Sequence, residues 1–196
     1  MARHSRTIKI APTIKLIQYC EITISAKIIK YKNKIFNKEM EDREGHKQEH
    51  KHKHKQRIRY IEHPSDVGFE VYGTTLEELF ANAAIACYGF MTDIEEIEET
   101  EERAIEIKSE DLYSLMFDWL DELLFLFESE SLVFKEFDLK VDVSGDGNST
   151  SISGRCRGGK FDPYRHESGI IIKAVTYNMM EIKKNELWHA RVVLDV

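Results

Sequence analysis

The sequence predicts an α+β domain over 58–196, mixed β-sheets packed with two main α-helices, set behind a basic N-terminal tail at 1–57. Three observations predict it. Two segments, 76–91 and 109–127, place large apolar residues at three- and four-residue spacing, the stripe of a helix that buries one side. Around them lie short runs that alternate apolar with polar residues and are rich in Val, Ile, Phe and Tyr, as half-buried strands are. Charge then divides the chain: residues 1–57 hold 15 Lys and Arg against 6 Asp and Glu, and residues 58–196 hold 13 against 29. A basic segment with a balance of +9 is thus joined to an acidic domain of −16. The acidic part is long enough to bury one core without disulfides or a structural metal.

The tail shows no packable pattern. Residues 1–39 alternate Ile and Lys, as in Ile8-Lys9-Ile10 and Ile28-Ile29-Lys30, which leaves open a basic strand or a weak membrane-surface segment. From Met40 the composition changes abruptly to acidic and polar, so an over-long gene start, with Met40 as the true first residue, is one expectation. The run His50-Lys-His-Lys-His-Lys55 has almost nothing apolar to hold it in a core, and disorder is predicted. His46, His50, His52 and His54 are ligand types for a transition metal, but a flexible chain fixes no geometry for them.

From Arg57 the elements follow in order. Arg57–Glu62 reads as a short strand, and after the Pro64-Ser65 turn Val67, Phe69 and Val71 alternate up to Gly73. Thr75 as N-cap with Glu78 three residues on gives a capping box for a helix running to about Met91. The acid run Asp93–Glu102 must be mostly solvated, and Ala104–Lys108 alternates as a strand. Ser109 is the expected N-cap of the second helix, with Glu110 and Asp111 favourably placed at its positive end. Phe134–Val143 and Ser149–Arg157 read as a hairpin about the Gly145-Asp-Gly-Asn148 turn, the second strand exposed. Phe161–Gly169 is a polar turn with Arg165 and His166, Ile170–Tyr177 an apolar strand carrying Lys173, and 178–184 and 187–196 two further strands.

Two acids stand out. Asp66 sits at the mouth of a strand, and Asp195 is the single carboxylate of the apolar run Ala190–Val196. Carboxylates are rarely buried unless paired or bound to a cation. Acids on strand ends at opposite limits of the domain therefore suggest a small oxygen-ligand metal site; the alternative is that each caps a strand in solvent. Asp118 and Asp121 share a helix face, and Asp121 is a candidate to complete such a site from the helix. Lys173, in the middle of an apolar strand, needs a partner such as Asp66 or Asp121.

Other chemistry is excluded or weak. Cys20, Cys87 and Cys156 are odd in number and form no close pair, which fits a reduced, cytoplasmic setting. No apolar run approaches the ~20 residues of a membrane helix. Gly158-Gly159 lacks the strand, the spacing and the Lys-Ser/Thr of a phosphate loop. The acidic domain repels nucleic-acid backbone, so RNA is not its direct partner.

Six segments in order then carry a resemblance: His63-Pro-Ser-Asp-Val-Gly68, Gly73–Ala84, Tyr88-Gly-Phe-Met-Thr-Asp93, Asp111–Glu122, Ile172-Lys-Ala-Val-Thr-Tyr177 and Val193-Leu-Asp-Val196. On these the chain resembles the archease family over nearly all of 58–196. It departs where Pro-Ser stands in place of the family's frequent Thr-Ala between His63 and Asp66, and in the basic tail. The resemblance implies an α+β fold and a role as a non-enzymatic protein cofactor of the RtcB-type, GTP-dependent tRNA-splicing ligase, promoting guanylylation and multiple turnover, with tRNA met only through the ligase. It also implies a divalent-cation site, Ca²⁺ ahead of Mg²⁺ or Mn²⁺, formed by the Asp66 and Asp195 carboxylates and a Val196 oxygen, with His63, Asp121, His166 and Lys173 at its periphery. A chaperone or RNA-processing adaptor acting through the tail, and a metal-dependent hydrolase using Asp66, Asp195 and His63, are the competing functions. The hydrolase lacks a nucleophile or paired base at motif spacing.

Overall fold

A computed structural model describes residues 57–62, 66–144 and 149–196. The expectations for the tail, for His63 and for the Gly145–Asn148 turn lie outside the described residues. The elements are β1 (Ile58–Glu62), β2 (Val67–Gly73), α1 (Leu76–Met91), a short 3-10 turn (Ile94–Glu96), β3 (Glu101–Ser109), α2 (Leu112–Glu130), β4 (Leu132–Val143), β5 (Thr150–Lys160), β6 (Ala174–Lys184) and β7 (Trp188–Asp195). They form two sheets, in the orders β1-β2-β7-β6 and β3-β5-β4. Every named pair in both is antiparallel.

Both helices have apolar residues on more than one side, and both are covered on more than one side. α1 packs on β2, β7 and β1 and also on β4, while α2 packs on β6 and on all three strands of the smaller sheet. Phe69, Val71, Leu79, Phe80, Tyr88, Trp119, Leu123 and Phe134 are fully enclosed in the core this creates. Two aromatic side chains tie the helices to each other. Trp119 Nε1 on α2 donates to the Phe80 carbonyl of α1 at 3.1 Å, and Tyr88 on α1 donates to the Leu123 carbonyl of α2 at 3.3 Å. Each polar tip is thereby satisfied inside an apolar core. Burial pushes the Tyr88 phenol well above its usual range, which keeps it a donor.

Several elements differ from expectation. Thr75 caps α1 and accepts from the Glu78 N–H, but the Glu78 carboxylate returns to Thr74, at 2.7 Å from its N–H and 2.6 Å from its hydroxyl. The capping box is shifted by one residue. On α2 the N-cap is Asp111, boxed with Ser114, while Ser109 ends β3 and donates to Asp118 at 2.5 Å. A carboxylate accepts the helix N–H groups with full charge, and that outweighs the hydroxyl. β5 is the central strand of its sheet, not an exposed one; Gly154 leaves room for the Asp138 carbonyl, which a Cβ there would overlap.

The Ile170–Tyr177 strand is also corrected. Residues 170–173 are irregular, held to the end of α1 by Gly169 N–H to Met91 O and Ile170 N–H to Phe90 O, both 2.7 Å. The expected strands at 170–177 and 178–184 merge into β6 from Ala174, with a bulge between Thr176 and Glu181 in which Met179 takes φ 54°.

On the face of the larger sheet turned from α1, Glu70 is only 5% exposed. Arg191 donates to its Oε1 from Nε at 3.0 Å and from Nη2 at 2.5 Å, and Arg59 reaches Oε2 at 3.2 Å. The Arg191 hydrogen bonds hold the Glu70 carboxyl below its usual range. Its stability contribution is therefore complete above the unfolded carboxylate value of about 4.3 and is lost as pH falls through the folded value. Glu70→Gln is expected to cost about 2 kcal/mol at neutral pH, with the gap to wild type closing at acid pH, read by urea unfolding followed by tryptophan fluorescence. Beside it, burial pushes the His189 imidazole down, and its Nδ1 has no hydrogen-bond partner among the described residues. That term too favours folding above about pH 6.5 and fades on acidification. Tyr88→Phe, which removes one tie between the helices, is expected to lower stability by about 1 kcal/mol in the same assay.

Candidate functional site

The site is built by the closing of the chain. β2 and β7 are neighbours, with Val67 opposite Leu194 and Gly68 opposite Val193. One more step in this register sets Asp66 opposite Asp195. Residues directly opposed in an antiparallel pair share a face, with Cβ atoms ~4.5–5.5 Å apart. On the other side of β7, Ala174 pairs with Asp195, and the Lys173 N–H donates to the Asp195 carbonyl at 2.9 Å. The start of β2, the end of β7 and the start of β6 therefore meet at one end of the sheet. Gly68, two residues along from Asp66 on the same face, carries no side chain there, and a Cβ would stand 2.8 Å from the Val192 carbonyl.

Lys173 has a partner, though neither of those expected. Its Nζ donates to the main-chain oxygen of Val196 at 2.9 Å. An ammonium thus lies on the oxygen that the resemblance assigns to a cation, beside the paired acids. Asp66 is half-buried and Asp195 exposed. Among the described residues no group of three or more His, Cys, Asp or Glu could hold a metal ion, so a cation here would take its third donor from the main chain. Two carboxylates and a carbonyl-type oxygen fit Ca²⁺ or Mg²⁺, whose ligands are hard oxygens, and suit Zn²⁺ poorly.

The expected periphery is only partly assembled. His166 sits in the polar turn, where its Nδ1 accepts from the Asp162 N–H at 2.9 Å and its ring lies 5.8 Å from that of Phe161. That is a histidine satisfied by its own loop. Asp121 is exposed on α2 and makes no hydrogen bond or ion pair with the described residues, while Asp118 is engaged by Ser109. The Lys173–Val196 contact was missed because its two halves are far apart in the chain; the unusual lysine in an apolar run was its one signal.

The profile of the archease protein family matches residues 58–196. The chain belongs to that family. The protein archease of Methanothermobacter thermautotrophicus is 44% identical over 140 residues, which are 71% of this chain and 98% of that protein. The protein archease of Methanosarcina barkeri is 42% identical over 147 residues, 72% of this chain and 97% of the relative. Among solved structures, the solution structure of Methanobacterium thermoautotrophicum protein 1598 is 40% identical, with a TM-score of 0.59 over 71% of this chain and 98% of that one. The two-helix, two-sheet α+β fold is that of the archease family. Among the described residues of this archease no helix is long and apolar enough to cross a membrane.

Lys173→Met tests the role of the ammonium at the strand ends. The pair is exposed, so its loss is expected to cost no more than about 1 kcal/mol. The cost should grow at low salt, where Asp66 and Asp195 are left less screened. Thermal unfolding at two ionic strengths reads both effects.

Proposed function

We propose that this archease is a protein cofactor of the GTP-dependent RNA-splicing ligase of the RtcB type, promoting ligase guanylylation and multiple turnover in tRNA splicing. It is not itself an enzyme in this reading. The observation that carries it is the β2–β7 ladder, whose last pair, Val67 and Leu194, leads directly into Asp66 and Asp195, in a chain of the archease family. Asp66, Asp195 and the Val196 oxygen would hold a divalent cation, Ca²⁺ first and Mg²⁺ or Mn²⁺ as alternatives, since all three donors are hard oxygens and Ca²⁺ accepts carboxylates and main-chain oxygens in a tolerant geometry completed by water. The bound cation supplies a concentrated positive charge at the tip of an otherwise acidic domain.

The remaining chemistry belongs to the chain. The two carboxylates, aligned by the β2–β7 ladder, form a fixed acidic pair that attracts cations and guanidinium or ammonium groups of a partner. Lys173 donates to the Val196 oxygen, so a divalent cation taking that oxygen would displace its ammonium. The domain's balance of −16 keeps RNA phosphates away, so tRNA is reached through the ligase.

Guanylylation of the purified cognate ligase with GTP, and multiple-turnover ligation of RNA, are the measurements. Wild-type protein is expected to accelerate both, and Asp66→Ala to lose the stimulation while keeping its circular dichroism spectrum. Titrated Ca²⁺ should raise the wild-type unfolding temperature, by an amount equivalent to about 2.7 kcal/mol at a hundredfold excess over Kd, and leave Asp195→Ala unmoved. A wild-type protein that stimulates neither step would end the activator reading.

A further inference from the structure

The paired acids are not the only surface feature of the larger sheet. β6 is an edge strand, and its bulge between Thr176 and Glu181 leaves residues 177–180 out of the β7 ladder. There Tyr177 is 55% and Met179 52% exposed. Met179 adopts φ 54°, a left-handed conformation that an unbranched L-residue takes only at an energetic cost. A strand that ran straight would turn alternate side chains inward; the bulge aims two large apolar ones outward, as bulges beside functional surfaces do.

α2 supplies the other half. It runs antiparallel to β6: the Tyr113 hydroxyl lies 3.4 Å from the Ile182 carbonyl, and one turn on Phe117 stacks on Tyr177, centroids 4.5 Å apart and rings 1° from parallel. The same four-residue stripe continues through Asp121 to Phe125, which is 59% exposed. Tyr113, Phe117 and Tyr177 therefore meet along the α2–β6 junction, and the sequence extends this apolar seam to Met179, two residues along β6 from Tyr177, and to Phe125, two turns along α2 from Phe117. Aromatic residues and methionine are the types enriched in the cores of protein interfaces. Acids border its α2 side: burial first, then the charges of Asp118 and Asp111, push the Tyr177 phenol up, and Asp121 interrupts the stripe. No lysine or arginine lies on α2 at all.

We propose that this seam is the docking surface for the ligase, whose contacting face then presents aliphatic or aromatic side chains within a rim of Lys and Arg. This rests on the activator reading. It adds a site of attachment distinct from the carboxylate pair: the seam supplies affinity, and the acids at the strand ends are held close to the ligase by it. Charge complementarity decides the occupant's chemistry: Lys183 at the Ile182 end is taken up by Glu181 and Lys184 lies over Trp188, which leaves Asp111, Asp118 and Asp121 of the α2 side to reject an acidic face and speed encounter with a basic one.

The test is binding of the full-length protein to the purified cognate ligase, by calorimetry or surface plasmon resonance, with guanylylation measured in parallel. Met179→Ser and Phe125→Ser are chosen because both side chains are exposed and their removal leaves the core intact; Tyr164→Ser, the most exposed aromatic and off the seam, is the control. Expected is a tenfold or greater rise in Kd for each seam variant, an unchanged control, a falling affinity with salt, and an unchanged Ca²⁺-induced rise in unfolding temperature. Stimulation by the seam variants should return at high protein concentration, as that by Asp66→Ala should not. If wild type and seam variants bind the ligase equally, the seam is overturned and the activator reading survives. Wild-type protein that neither binds nor stimulates the ligase overturns both. Light scattering that shows a wild-type dimer lost in Met179→Ser would make the occupant a second copy of this chain and overturn the assignment to the ligase.

Discussion

The fold depends on two helices that cannot be left with a wet side. α1 buries residues almost all round, from Leu79 and Phe80 to Ala84, Tyr88 and Met91, and α2 adds Leu115, Met116, Trp119, Leu120 and Leu123. A single sheet covers one face of a helix, so a second is required. The two cross-donated bonds, Trp119 to Phe80 and Tyr88 to Leu123, fix how the helices lie against each other within that space. Everything outside the helices follows from covering them: the larger sheet closes over α1 by bringing the chain's last strand between β2 and β6, and the smaller closes over α2 with a hairpin and β3.

That closing step is what brings Asp66 and Asp195 together. They are 129 positions apart in number, yet the β2–β7 register leaves no other place for either. A one-residue slip would turn Phe69, Val71, Val192 and Leu194 out of the core, so the same apolar burial that stabilises the sheet also sets the alignment of the two acids. The position of the pair is thus held by residues that never touch it.

Much of this was legible locally. The stripes of α1 and α2, the alternation of β2 and the acids at the strand ends are short-range patterns, and a pattern confined to one element survives folding. What failed to be legible depended on competition or on distance. Ser109 and Asp111 are both good caps, and the carboxylate's charge, with β3 running on through Ser109, decides between them. Ile170, Ile171 and Ile172 read as strand by composition, but the end of α1 offers Phe90 and Met91 carbonyls to the main chain there, and the segment bonds to those instead. The bulge at Met179 has no glycine to announce it. In the candidate site, the acids were marked by being out of place in apolar strands, whereas the lysine's partner is a main-chain oxygen, which no side-chain pattern encodes. His166 was drawn into the site by its residue type, and its own loop claims it.

The two halves of the domain's surface use charge differently, and this bears on how a partner is held. On the sheets, cations are spent on neighbouring acids: Arg191 and Arg59 on Glu70, Arg157 on Glu136. Pairs of this kind cancel at a distance and contribute little field. Along α2 only its last residue, Glu130, is matched in this way among the described residues: Asp111 and Asp118 are met by serine hydroxyls and Asp121 by nothing. The unmatched acids Asp111, Asp118 and Asp121 therefore lie along the helix that carries half of the apolar seam. Apolar contact without that field would accept many partners, and the field without the contact would bind weakly and release at physiological salt. Placed together, they select a basic-rimmed apolar face.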